Sequence, residues 1–255
     1  MYYYPMYFQR QKNVDNKRTY VLDFKQGDVN GDGIVDYVYL VGDKPYGSES
    51  PFRENITLKI IDGKTKRETT IPLKANAGYG PSLFLGDFTG DQVDDIYISI
   101  FSGGSGGYTF YYIYSFLNNQ PELIFDFEKF NDEYEYDVNY KDDYKVEVIS
   151  KNTNTKYLLD IQYKGEEYLS EIYDKDGKLK KPIEGWVNPL GGLYPIDFQG
   201  DGTYELYAEQ RIAGRYNADA LGYVQTSLKW DGKKFVDFFQ TVGIFGEDIN
   251  MEEKD

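Results

Sequence analysis

Histidine and cysteine are both absent from the 255 residues. Their absence excludes Ser-His-Asp and Cys-His catalysis, thiolate redox chemistry, disulfides and ordinary zinc or copper sites. Carboxylates, lysine, tyrosine and hydroxyls are what remain for chemistry. Cations are scarce too: 28 Lys and Arg stand against 43 Asp and Glu, a net charge of −15. That balance argues against nucleic acid or an anionic membrane as partner and agrees with cation binding. No stretch approaches the roughly 20 apolar residues of a membrane helix, so membrane insertion is not expected. The opening Met1-Tyr2-Tyr3-Tyr4-Pro5-Met6-Tyr7 lacks a basic region followed by an apolar one, so no signal peptide is read there. Aromatics, by contrast, are abundant at 18%, with 27 tyrosines. Tyrosine suits half-buried strands and binding surfaces alike.

The most informative stretch is Asp28-Val29-Asn30-Gly31-Asp32-Gly33-Ile34-Val35-Asp36. Oxygen-bearing side chains stand at positions 1, 3, 5 and 9, and a glycine at position 6 permits a sharp turn. A loop of this kind can wrap a hard cation such as Ca²⁺, with Asp28, Asn30, Asp32 and Asp36 as side-chain ligands and Ile34 through its carbonyl. An EF-hand would continue into a helix with a glutamate at position 12. Here Tyr37-Val38-Tyr39-Leu40-Val41 follows, which reads as a strand. The frame returns at Asp87, Thr89, Asp91, Val93 and Asp95, and again at Asp197, Gln199, Asp201, Thr203 and Glu205. Each copy lies between two apolar, strand-like segments. Gln92 and Gln199 depart from the pattern of the first copy.

These strand-flanked D-x-[DN]-x-D-G-x-x-D loops resemble the FG-GAP/VCBS repeats of integrin α-subunit propellers and many bacterial proteins. The resemblance implies a β-propeller with Ca²⁺ in the loop joining the first two strands of a blade, and it implies no activity.

The expected fold is all-β, a β-propeller of about four four-stranded blades, with five blades as the alternative. Strands are expected at 19–24, 36–42, 55–62 and 67–73 in the first unit, and at 81–86, 95–101, 108–117 and 122–127 in the second. The fourth unit should supply 191–197, 204–211, 222–230 and 233–241. Asp87 follows Asp28 by 59 residues and precedes Asp197 by 110, so a further unit should lie between them. Its strands read 133–138, 143–150, 155–162 and 167–173, with a degenerate loop over Asp137–Lys145. There Lys141 and Lys145 take positions 5 and 9, where two ammonium groups would repel a cation. Residues 1–18 form a tyrosine-rich, then basic arm, 19–246 the repeat domain, and 247–255 an acidic tail.

If strands alternate in direction, the calcium-type loops and the Asp62-Gly63 turn share one face. The glycine-rich run 102–107 and the loops 43–54 and 213–219 then lie on the other. Trp186, Tyr79, Tyr108, Arg215 and Tyr216 are expected near a shared pocket there. No catalytic constellation and no organic-cofactor motif is visible. The leading expectation is a calcium-binding, non-enzymatic binding or structural module, with a protein or carbohydrate surface partner. The tyrosine-rich start suggests a bacterial spore coat or cell-surface layer. The alternative is a carboxylate-dependent, carbohydrate-active enzyme drawing on Asp43, Glu49, Glu184 and Asp219.

Overall fold

The computed structural model describes residues 19–246; the expected arm and acidic tail lie outside them. The fold is all-β, with two eight-stranded antiparallel sheets and two short helices. Unit 1 comprises β1 (Tyr20–Gly27), β2 (Asp36–Asp43), β3 (Phe52–Ile61) and β4 (Glu68–Pro72). Unit 2 comprises β5 (Gly78–Gly86), β6 (Asp95–Phe101), β7 (Thr109–Ser115) and β8 (Glu122–Asp126). Helix α1 (Phe127–Glu133), capped by the Asp126 carboxylate accepting from Glu128 N–H, leads to unit 3.

Unit 3 departs from its expected four strands. It holds β9 (Tyr136–Lys141), β10 (Lys145–Ser150) and β11 (Thr155–Asp160), and its fourth element is a helix, α2 (Gly165–Ile172). Tyr168, Leu169 and Ile172 recur at helical rather than strand spacing, and Glu166 and Glu167 favour a helix start. A strand not expected from the sequence, β12 (Glu184–Val187), precedes unit 4. Unit 4 comprises β13 (Gly192–Ile196), β14 (Glu205–Ala213), β15 (Ala220–Trp230) and β16 (Phe235–Gly243).

Units 1 and 2 share one sheet because the outer end of β3 pairs with β5, Phe52 opposite Tyr79 and Arg53 opposite Gly78. Units 3 and 4 share the other through β12, which pairs with β9 and with β14. Alternating burial in the central strands supplies the core. In β2, Val38 and Leu40 are buried; in β3, Ile56, Leu58 and Ile60 are. A cluster of aromatics locks unit 2 to unit 4: Phe84 meets Tyr204 edge-on at 5.1 Å, Phe88 meets Phe235, and Phe125 meets Phe235. Tyr97 Oη donates to the Leu193 carbonyl at 2.5 Å across the same seam. Such ring pairs contribute about 0.5–1.5 kcal/mol each beyond the area they bury.

Candidate metal centre

The three calcium-type loops are built on one hydrogen-bond template. The position-1 aspartate accepts from the backbone N–H groups of positions 4 and 6. Asp28 takes Gly31 at 2.8 Å and Gly33 at 2.7 Å; Asp87 takes Gly90 at 2.6 Å and Gln92 at 2.8 Å; Asp197 takes Gly200 at 2.6 Å and Gly202 at 2.9 Å. The position-5 aspartates Asp32, Asp91 and Asp201 accept from position 7, namely Ile34, Val93 and Thr203, at 2.9–3.0 Å. The position-9 acid reaches back to position 2: Asp36 to Val29 N–H, Asp95 to Phe88 N–H, and Glu205 to Phe198 N–H. Positions 4 and 6 are left-handed in every copy, including Gln92 at φ 67°. The degenerate copies therefore keep the backbone of the first.

Position 3 distinguishes the copies. Asn30 and Gln199 each donate from their amide to the position-9 acid, at 3.4 Å and 2.9 Å. Thr89 carries no amide, and its Oγ1 is buried without a partner. A buried hydroxyl left without a partner costs about 1–3 kcal/mol. A cation among the loop oxygens would satisfy that hydroxyl, so the donor chemistry of this loop fits a hard metal. Asp87, Asp91 and Asp95, with Thr89 and the Val93 carbonyl, would hold it. The first loop offers Asp28, Asn30, Asp32, Asp36 and the Ile34 carbonyl; the third offers Asp197, Gln199, Asp201, Glu205 and the Thr203 carbonyl. Among the described residues, no group of three or more His, Cys, Asp or Glu side chains is drawn together in metal-holding geometry. The loop carboxylates instead bind backbone amides, although each carboxylate has about four lone-pair sites and these bonds leave some free.

Burial shapes the electrostatics. It pushes the Asp95 carboxyl up to about 7, with Asp91 and Asp87 adding to the shift against the Phe88 N–H bond. It raises Asp36 as well, against bonds from Gly63 and Val29. Ligand spacing does not single out Asp94, at position 8 of the second loop. Burial raises its carboxyl too, and the charges of Asp28 and Asp87 push the same way. The signal was an Asp94-Asp95 pair found in this copy alone. Lys64 Nζ lies 3.7 Å from Asp32 Oδ2 as an exposed counter-charge.

The loops are neighbours, joined by a repeated seam. Asp94 N–H donates to the Asp28 carbonyl at 3.2 Å, and Tyr204 N–H donates to the Asp87 carbonyl at 2.7 Å. Position 8 of one unit thus binds position 1 of another, in the order unit 1, unit 2, unit 4. The residue before position 1 is glycine in both receiving units. A Cβ on Gly27 would stand 2.5 Å from Asp94 Oδ2, and one on Gly86 would stand 2.8 Å from the Tyr204 ring. The Asp62-Gly63 and Asn118-Asn119 turns share this face. Gly63 N–H donates to Asp36 Oδ1 at 2.7 Å, and Asn118 N–H to the Asn30 carbonyl at 2.9 Å.

The Asp137–Lys145 segment is not a loop. Asp137 lies in β9 opposite Ile149, and Lys141 pairs with Lys145 across a tight turn with Asp143 and Tyr144 left-handed. Lys141 pairs with Glu147 and Lys145 with Asp160, which uses both ammonium groups structurally.

The expected pocket residues divide into two groups. Tyr79 lies against Gly103, and Tyr108 against Gly106, in the glycine-rich loop. Trp186 Nε1 donates to Asn188 Oδ1 at 2.7 Å, and Asn188 donates to the Gly106 carbonyl. Arg215 belongs elsewhere, stacked on Tyr168 and paired with Glu171 at 2.6 Å, while Tyr216 is exposed. The four candidate acids are likewise dispersed. Asp43 accepts from Asn55, Glu49 from Ser48, and Glu184 starts β12. Asp219 is buried and binds Lys164 Nζ and Tyr168 Oη, each at 2.7 Å.

Residues 134–243, which cover β9 to β16, match the family model described as the YybI C-terminal domain. The uncharacterized protein YybI of Bacillus subtilis (strain 168) is 56% identical over 225 residues, 88% of this chain and 85% of that protein. The chain belongs to the YybI family. The family model thus spans the second sheet, while the relative's match extends over most of both. No solved structure matches the chain. Among the described residues, no helix is long and apolar enough to cross a membrane.

Proposed function

We propose that this chain is a calcium-binding, non-enzymatic module of FG-GAP/VCBS-like repeats, serving as a binding or structural element of a bacterial spore coat or cell-surface layer. The observation that carries the reading is the template shared by the loops at Asp28, Asp87 and Asp197, which holds oxygen donors in one order three times. The same proposal takes the four units as propeller-type blades, supported by the four antiparallel strands of units 1, 2 and 4; the repeated seam joins unit 1 to unit 2 and unit 2 to unit 4, with unit 3 outside that row. A loop of this chemistry is useful where free calcium is plentiful.

Calcium titration calorimetry on the wild type and on Asp32→Ala tests it. The Asp28–Asp36 loop should bind most tightly, the loops at Asp87 and Asp197 more weakly, and the mutant should lose the tightest event. Undiminished binding in the mutant would remove the first loop from the account. No heat with the wild type, together with melting unmoved by chelator, would end the calcium reading.

A further inference from the structure

A cleft of about 240 Å³ opens between the glycine-rich loop of unit 2 and the outer face of β13, β14 and β15. The strand register fixes what lines it. Gly192 stands opposite Glu209, Glu209 opposite Gln225, and Arg211 opposite Tyr223, so these residues share one face of the sheet. Gly106, Gly107, Gly191 and Gly192 form walls of nearly bare backbone, which allows a ligand to approach closely. Tyr194 brings a half-exposed ring to the cleft.

Arg211 is the distinctive group. Its Nη2 donates to the carbonyls of Ser105 at 2.8 Å and Gly106 at 2.9 Å, which fixes the guanidinium against the loop. Among the described residues it forms no ion pair, and its Nε is buried without a hydrogen-bond partner. In a chain of net charge −15 a half-buried guanidinium without a carboxylate is conspicuous. Glu209, two residues earlier on the same face, spends one oxygen on Gln225 Nε2 at 3.0 Å. The cleft therefore presents a cation and a hydrogen-bond acceptor about 7 Å apart, the spacing of alternate residues on a strand.

We propose that this cleft binds an acidic sugar, a pyranose bearing a carboxylate. The carboxylate would meet Arg211 at Nη1, since both Nη2 hydrogens are spent on the loop carbonyls, and would gain one charge-assisted contact there. Ring hydroxyls would donate to Glu209, and the ring face would lie on Tyr194. Phosphate esters fit less well, because a second negative charge would stand beside Glu209 with one cation to offset it. The volume falls below the roughly 300–1,000 Å³ of sites for drug-sized ligands, so a single ring is the appropriate size. The site does not depend on the calcium reading. Arg211 lies six residues along β14 from Glu205, about 20 Å from the metal-type loop.

Calorimetry on the full chain with galacturonate, galactose and the dipeptide glycylglycine tests it, with calcium and with chelator. Galacturonate should bind at least about tenfold more tightly than galactose, the scale of one charge-assisted contact. Arg211→Gln should erase that preference, and Tyr194→Ala, at an exposed ring, should weaken both sugars alike. Chelator should leave the affinity unchanged while the protein stays folded. Equal binding of the two sugars, preference for the dipeptide, or no binding of galacturonate by the wild type would overturn the proposal whatever the variants do.

Discussion

Replacing Gly86 by alanine tests the seam between units 2 and 4. The added Cβ would sit 2.8 Å from Phe84 Cε1, 2.8 Å from Tyr204 Cδ2 and 2.9 Å from Tyr204 Cε2. Carbon atoms prefer about 3.5–4.0 Å, so something must shift. Neither ring moves freely: Phe84 and Tyr204 hold each other edge-on, and both contact Phe88, which is wholly buried. Overpacking of this kind costs about 1–3 kcal/mol. Alanine recovers about 0.5–1 kcal/mol of backbone entropy in a strand, so the net loss should be about 0.5–2 kcal/mol. At this chain length that is a fall of about 1–8 °C in Tm. Gly104→Ala is the matched control, since its Cβ would meet nothing within 4 Å. Thermal unfolding followed by circular dichroism gives both numbers. If Gly86→Ala melts with Gly104→Ala and the wild type, Tyr204 does not pack on Gly86 and the seam is misplaced.

Other positions give independent tests. Gln92→Gly should raise stability by about 0.5–1 kcal/mol, read from the denaturant midpoint, because Gln92 is an exposed residue in the left-handed region at φ 67°, which glycine adopts without strain. Asp219→Ala should lower stability by about 3–5 kcal/mol in chemical denaturation, since it strands Lys164 beside a half-buried Tyr168. Burial pushes the Asp219 carboxyl up, but Lys164, the Arg215 N–H and Tyr168 together outweigh it and leave it below its ordinary 3.8. Its stabilisation should thus be complete above that value and fade as pH falls through the lower folded one, and Asp219→Asn should flatten that acid limb. Chelation should lower Tm in a single transition, read by calorimetry, and remove about 2.7 kcal/mol of stability per site that had been held at a hundredfold excess of calcium over Kd.

The strands were legible wherever apolar alternation ran between turn signals. Expected 36–42 and 95–101 became Asp36–Asp43 and Asp95–Phe101, and the three loops fell where ligand spacing put them. In unit 3 the repeat distance and the local residue pattern disagree, and the local pattern decides the structure. Its Asp137 opens like a loop, yet alternate burial of Val138 and Tyr140 makes it a strand. The repeat period reads 167–173 as a strand, whereas Tyr168, Leu169 and Ile172 stand at helical spacing and the segment is a helix. β12 is four residues long with Gly185 inside it, too short for a pattern. Its pairing with both β9 and β14 is a tertiary fact. The direct contact of unit 4 with unit 2 was invisible for the same reason. Among the pocket residues, Arg211 rather than Arg215 reaches the glycine-rich loop; nothing local in the sequence separates those two arginines.

In units 1 and 2 the glycine before the position-1 aspartate acts as a socket: Gly27 receives Asp94, and Gly86 receives Tyr204. In unit 4 the same place is held by Ile196. At Gly27 and Gly86 even a Cβ would stand 2.5–2.8 Å from the position-8 residue seated there, so a branched side chain at the same place is incompatible with that mode of seating. Stacked repeats need a last member that refuses the next one, or they grow by recruiting neighbours. Ile196 gives unit 4 no glycine socket of the kind that Gly27 and Gly86 give units 1 and 2, so the row of seams carries two sockets and no third.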